Sequence, residues 1–174
     1  MDVETAFDGT QILTKLRTST FDLLIVTEDI PRIPLRQIVS YCNEERIPVL
    51  VLTNTKPRLA TLIDSVLAND YLPFPFTSSE LKSKISRIRE NLNSSAELHS
   101  GDIEVDVSMF LIGTRRLTAE EIEILRGLIE ERAGDFESNV IHIGSINTKL
   151  ADIGCSQRIR YLKQEGFKLV RIHD

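Results

Sequence analysis

Two short unbroken apolar runs, Leu23-Leu-Ile-Val-Thr27 and Val49-Leu-Val-Leu-Thr53, set the tightest limit on what this chain folds into. A strand with one wet face alternates apolar and polar residues. A strand without alternation is covered on both faces, as in a parallel sheet flanked by helices. A third run, Tyr71-Leu-Pro-Phe-Pro-Phe76, reads as a strand cut short by proline, which cannot donate to a ladder. Between the runs, Leu35, Ile38, Val39 and Cys42 keep helical spacing, as do Leu59, Leu62, Ile63, Val66 and Leu67. Thr77-Ser-Ser-Glu80 forms a capping box that opens a helix with Leu81, Ile85, Ile88 and Leu92 as one stripe. Alternating strands and helices with short connections imply right-handed βα units.

Composition then divides the chain. All six prolines lie between Pro31 and Pro75, whereas seven of the eight glycines lie from Gly101 onward. The polar stretch between these regimes reads as a linker over residues 94–101, separating a domain at 1–93 from one at 102–174. In the second domain, Ile103-Glu-Val-Asp-Val107 alternates as a half-exposed strand, and Met109 to Leu117 reads as a hairpin around Gly113-Thr114. Thr118-Ala-Glu-Glu121 is a second capping box; Ile122, Leu125, Leu128 and Ile129 form the buried face behind it, and Gly134 is a C-terminal stop. Val140, Ile143, Ile146, Leu150 and Ile153 continue at helical spacing, and Arg158 to Ile172 reads as two strands around a Gln-Glu-Gly turn. Sheet, helix, helix, hairpin is the order of a winged helix.

Several function classes drop out on composition. No apolar run approaches the ~18–20 residues of a membrane span, and the N-terminus lacks the basic-then-apolar layout of a secretory signal. A cytoplasmic protein with no membrane association is the expectation. Cys42 and Cys155 are too few and too far apart for a disulfide framework or a zinc site, and His99, His142 and His173 lack nearby ligand partners. No metal and no cofactor are expected. The net charge of -5, with 11 basic against 13 acidic residues in 1–98 and 10 against 13 in 99–174, argues against bulk electrostatic capture of nucleic acid.

Six segments in order resemble the OmpR/PhoB family of two-component response regulators. Asp22-Leu-Leu-Ile-Val-Thr-Glu-Asp-Ile-Pro31 is similar to the receiver segment ending in the phosphoacceptor loop, and Ile47-Pro-Val-Leu-Val-Leu-Thr53 to the strand carrying the switch Thr/Ser. Ala68-Asn-Asp-Tyr-Leu-Pro-Phe-Pro-Phe76 resembles the family's Ala-Asp-Asp-Tyr-Leu-x-Lys-Pro-Phe. Leu117-Thr-Ala-Glu-Glu-Ile resembles the start of the effector domain's first helix, His142-Ile-x-x-Ile-x-x-Lys-Leu150 its recognition helix, and Glu165-Gly-Phe-Lys-Leu169 its wing. The resemblance implies a flavodoxin-like, receiver-like parallel sheet followed by a small α+β winged-helix domain.

The departures from that pattern decide the chemistry. The resemblance places the phosphoacceptor aspartate at Thr27, which cannot form an acyl phosphate, and the phosphoryl-pairing lysine at Phe74, leaving no cation there. Thr53 alone survives, while Glu28 and Asp29 are expected to point away from the site. The first βα unit, with its metal-binding acidic pair, is missing. The segment Val3-Glu-Thr-Ala-Phe7 is expected to fill in beside Leu23–Thr27, giving four strands in sequential order. A pseudo-receiver without phosphoryl chemistry follows, and no enzyme is expected, because no nucleophile, base and oxyanion donor can be assembled.

Partners follow from the same comparison. The family dimerises through its last receiver helices; Arg58, Asp70, Glu80, Lys84 and Arg87 occupy that face here and imply a homodimer. In the second domain, residues 133–137 are too short for the middle helix of a helix-turn-helix. Gly144, Asn147 and Thr148 stand where the family often places arginine. His142, Ser145, Asn147 and Lys149 on the helix, with Arg158, Arg160 and Lys163 on the wing, are the remaining candidates for duplex DNA contact. The leading expectation is a dimeric, phosphorylation-independent transcriptional regulator touching DNA through this helix and wing. The alternative is a protein-interaction module, either a heterodimer partner of an intact response regulator or a structural subunit of an assembly.

Overall fold

The computed structural model describes residues 2–54, 66–132 and 139–172 and divides into two compact units, Met1–Lys82 and Ser83–Asp174. In the first unit, helix α1 (Gly9–Thr18), strand β1 (Leu24–Thr27), helix α2 (Leu35–Glu44), strand β2 (Val49–Thr53) and strand β3 (Asp70–Pro73) follow in order. The three strands form a parallel sheet in the order β1-β2-β3, with Val26 opposite Val51 and Val51 opposite Tyr71. Val49, Leu50 and Val51 are fully buried, as the unbroken apolar run requires of a central strand. Ile12, Leu13 and Leu16 of α1 join Ile38, Val39 and Cys42 of α2 in one core with Val26, Val49, Val51 and Tyr71. Ile25, on β1, remains 40% exposed.

The expected fourth strand is corrected: residues 2–6 are not a strand, and the sheet among the described residues has three. The physical reason is the entry into α1. Asp8 is its N-cap and accepts from the Gln11 amide at 2.9 Å, while the Phe7 amide donates to Gln11 Oε1 at 3.1 Å. Glu4 also pairs with Lys15 on the same helix. These contacts commit the segment to the helix terminus, not to a ladder.

Helix α3 (Ser78–Leu92) opens at the capping box read from the sequence: the Thr77 amide donates to Glu80 Oε2 at 2.6 Å and the Glu80 amide to Thr77 Oγ1 at 3.2 Å. Of its apolar stripe, Ile88 is buried, Leu81 and Ile85 half-buried and Leu92 exposed. The division between units falls inside this helix, upstream of the boundary expected near residue 93. Leu59, Leu62 and Ile63 lie outside the described residues, as do Arg58 and Gly134.

The second unit continues with strands β4 (Glu97–Ser100), β5 (Ile103–Asp106), β6 (Leu111–Ile112) and β7 (Arg115–Arg116), an antiparallel sheet in chain order. β4 lies in the stretch expected to be a linker. Its Leu98 is buried and Leu98 pairs with Val105, so one buried side chain and a ladder turn a polar stretch into an edge strand. β6 and β7 meet around Gly113-Thr114, where Gly113 has φ +53, the left-handed conformation a two-residue hairpin turn demands. Helix α4 (Ala119–Ile129) and helix α5 (Val140–Asp152) follow, and strands β8 (Gln157–Leu162) and β9 (Gly166–Arg171) close the chain as an antiparallel hairpin. Ile122, Leu125, Ile146 and Leu150, all fully buried, form the apolar faces of α4 and α5. Residues 133–137, where the middle helix of a winged helix is expected to be missing, lie outside the described residues.

Candidate functional site

Parallel strands bring their C-terminal ends to one side of a sheet, the side where open α/β sheets hold their ligands. Thr27, Thr53 and Phe74, far apart in the chain, therefore meet at one edge of the first unit. Thr27 ends β1, is exposed, and its hydroxyl reaches only the Asp29 carbonyl at 3.5 Å. Thr53 ends β2, is fully buried, and donates from Oγ1 to Glu28 Oε2 at 2.8 Å. Glu28 Oε1 also accepts from the Asn54 amide at 3.4 Å. Phe74 follows β3; its amide donates to the Thr53 carbonyl at 2.8 Å, and its ring lies 4.7 Å from that of Phe76. The expectation that Glu28 points away from this edge is corrected. Its own amide bonds the Leu52 carbonyl at 3.1 Å, which carries the side chain across to β2. Three of the four positions are thus a threonine, a threonine and a phenylalanine, and the carboxylate among them is a hydrogen-bond acceptor on a neighbouring strand.

Of the expected dimer face, Asp70, Glu80, Lys84 and Arg87 are described, and each has a partner within the chain. Asp70 is fully buried and accepts from the Tyr71 amide at 2.8 Å. Glu80 serves the α3 cap, whereas Lys84 and Arg87 both pair with Glu120 of α4, Lys84 at 2.9 Å. Asn69 was not singled out from the sequence, yet it is buried and pins β2: the Val49 amide donates to its Oδ1 at 2.8 Å, and its own amide donates to the Val49 carbonyl at 3.0 Å. An Asn directly after a helix-spaced run and before a strand is the signal that was available.

The helix-and-wing candidates separate sharply. Of the residues expected to contact DNA, His142, Ser145 and Lys149 lie on the buried side of α5. Lys149 Nζ lies 2.7 Å from both carboxylate oxygens of Glu121, a residue with no exposed surface that also closes the α4 capping box with Thr118 at 2.7 and 3.1 Å. The period of the helix explains the outcome: Lys149 follows Ile146 and His142 by three and seven positions, so it shares their face. The amide group of Asn147 donates to and accepts from Ile159 of β8 at 3.0 and 2.8 Å, docking the hairpin on α5. The exposed residues of α5 are Val140, Ile141, Gly144, Thr148, Ala151 and Asp152, with Val140 60% exposed and Asp152 paired with Arg115 at 2.8 Å.

On the hairpin, Arg158 is half-buried and donates to the Cys155 and Gln157 carbonyls at 2.6 Å each. Arg160 and Lys163 are exposed. Arg160 stands directly opposite Lys168 in the ladder, and no carboxylate among the described residues pairs with either. Like charges facing each other on a hairpin are destabilising unless something anionic lies over them. Tyr161 packs edge-on to Phe167 at 5.3 Å near the turn.

Two carboxylates in the second unit titrate low. Burial raises the Glu120 carboxyl, but the cations of Lys84 and Arg87 outweigh it and hold it below its ordinary 4.5. Asp102, in the β4–β5 turn, is held down at about 2 by the Ser156 amide at 2.5 Å and then by the Cys155 thiol at 3.1 Å. Both groups bind protons more weakly folded than unfolded, so their stabilisation is complete above the ordinary carboxylate values and is lost as acid titrates them. The urea midpoint is therefore expected to drop as pH falls from 3.8 toward about 2, and Asp102→Asn is expected to flatten that part of the profile. Burial pushes the Cys42 thiol up to about 12 and raises that of Cys155, both in the direction that disfavours the thiolate.

No family model and no curated protein matches the chain. Solved structures do. Two cysteine variants of RitR, one to aspartate and one to serine, superpose with a TM-score of 0.58 at 15% and 14% identity, covering 96% of this chain and 86% and 87% of theirs. The response regulator DrrB, an OmpR/PhoB homolog of Thermotoga maritima, aligns at 19% identity over 94% of this chain and 85% of its own, with a TM-score of 0.47. The chain shares its fold with RitR.

Proposed function

We propose that this chain is a phosphorylation-independent regulatory protein of the response-regulator type that acts through protein contact, its second unit serving as an interaction module and not as a base-reading head. One observation carries the reading. The exposed residues of α5 are Val140, Ile141, Gly144, Thr148, Ala151 and Asp152, none of them a cation, and the helix's single lysine is held by Glu121. Reading a duplex needs arginine, lysine, asparagine or glutamine aimed at base edges and phosphates. A helix that presents two branched apolar side chains, small residues and one carboxylate, but no cation, suits a protein surface, such as an intact response regulator or a subunit of an assembly. The receiver-like unit fits the same reading, since Thr27 and Phe74 supply neither a phosphoacceptor nor a cation. In this reading the chain catalyses no reaction. Self-association through α3 is no part of it, because Lys84 and Arg87 are committed to Glu120.

A second reading rests on the hairpin. Arg160 opposite Lys168 suits phosphate-backbone contact without base reading. A polarisation titration of a labelled duplex across salt separates the two. The proposal expects no saturation tighter than the ~10⁻⁴ M end of non-specific binding at physiological salt. Tighter, salt-sensitive binding that Arg160→Ala with Lys168→Ala abolishes would hand the function to the hairpin.

A further inference from the structure

The carboxylate at the sheet edge does more than fill space. Thr53 Oγ1 and the Asn54 amide are adjacent donors at the C-terminal end of a central parallel strand, a place and a pairing suited to an anion. Glu28 brings its own anion there, one oxygen 2.8 Å from Thr53 Oγ1 and the other 3.4 Å from the Asn54 nitrogen. The side chain starts one residue past β1 and ends on β2, so it ties the ends of two strands together at the point where the chain leaves the sheet. Thr53 is fully buried and Glu28 half-buried, which strengthens charge-assisted bonds relative to the same contacts in open water.

We infer that Glu28 is an internal latch: its carboxylate occupies the donor pair of Thr53 and Asn54 and holds the end of β2 in one arrangement without any bound ligand. The inference deepens the phosphorylation-independent reading and rests on it, naming the residue whose charge makes an external anion unnecessary. A carboxylate that is covalently part of the chain meets the donor pair at a high local concentration whatever ligands are in solution, so an external anion must displace it to reach the edge. The latch is a constant, not a sensor.

Amide hydrogen exchange on the full-length chain tests this. Glu28→Ala is expected to speed exchange at Asn54 by about tenfold or more while Val51, in the middle of β2, keeps its rate. Glu28→Gln retains an acceptor and is expected to fall between the parent and the alanine variant. Acceleration at Asn54 below about tenfold overturns the latch, and so does equal acceleration at Asn54 and Val51, which would make Glu28 a general stabiliser. Incubating the parent chain with acetyl phosphate and Mg²⁺ tests the underlying reading separately. A covalent phosphoryl adduct in the mass spectrum overturns phosphorylation independence, whatever the exchange rates of the variants, and its absence supports that reading.

Discussion

Replacing Lys149 with methionine is expected to lower the unfolding free energy of the chain by about 3–5 kcal/mol, measured by urea denaturation, because it strands the fully buried Glu121 carboxylate without its cation. The size follows from what each side chain leaves behind. Methionine matches the lysine stem in shape, so little packing is lost, and the penalty is the desolvation of an unpaired charge. The companion variant Glu121→Gln with Lys149→Met removes both charges and keeps an acceptor for the Thr118 amide, which Glu121 now satisfies at 2.7 Å. That double variant is expected to recover most of the loss, so the cycle should show a coupling energy of several kcal/mol between the two sites. If the single variant instead leaves stability unchanged, Lys149 does not hold the buried position described for it and the case against its contacting DNA weakens.

Placing arginine on the solvent face of α5 is expected to raise duplex affinity above that of the parent chain. Gly144 and Thr148 lie one turn apart on that face, and a Cβ added at Gly144 meets no atom within 4 Å. Gly144→Arg with Thr148→Arg should therefore fold, and removing a mid-helix glycine should raise stability by about 0.8–1.0 kcal/mol before the two like charges one turn apart take back a few tenths. Duplex affinity at low salt is expected to rise by at least about tenfold and to fall steeply as salt is added, in line with counterion release at the new phosphate contacts. A folded variant that gains no affinity would mean that α5 does not lie where a recognition helix lies, and its lack of exposed cations would carry no argument about DNA.

The outcome at these two helix faces shows how far the residues could be read in advance. The apolar runs at residues 23–27 and 49–53, both capping boxes and both hairpin turns have local causes: alternation or its absence, a hydroxyl three residues before a glutamate, a glycine able to take positive φ. Such causes act within a few residues and so can be read along the chain. His142, Ser145, Asn147 and Lys149 look like polar contacts in sequence because their residue types can touch DNA. Their fate turned on which side of α5 meets α4 and the hairpin, and that depends on residues such as Glu121 and Ile159, which lie 28 and 12 positions from their partners Lys149 and Asn147. Glu28 was missed for the same reason, since its partner Thr53 is 25 residues away.

The sequence by itself determined the parallel character of the first sheet, both capped helices and both hairpins, and it places at Thr27 and Phe74 side chains that can neither form an acyl phosphate nor supply a cation, whereas α1 and β4 were not legible in it. Only the tertiary structure decided which charges are spent. Lys149, Lys84, Arg87 and Glu28 each have a partner far along the chain, and a charged side chain is free for a ligand only when no packed neighbour has already satisfied it.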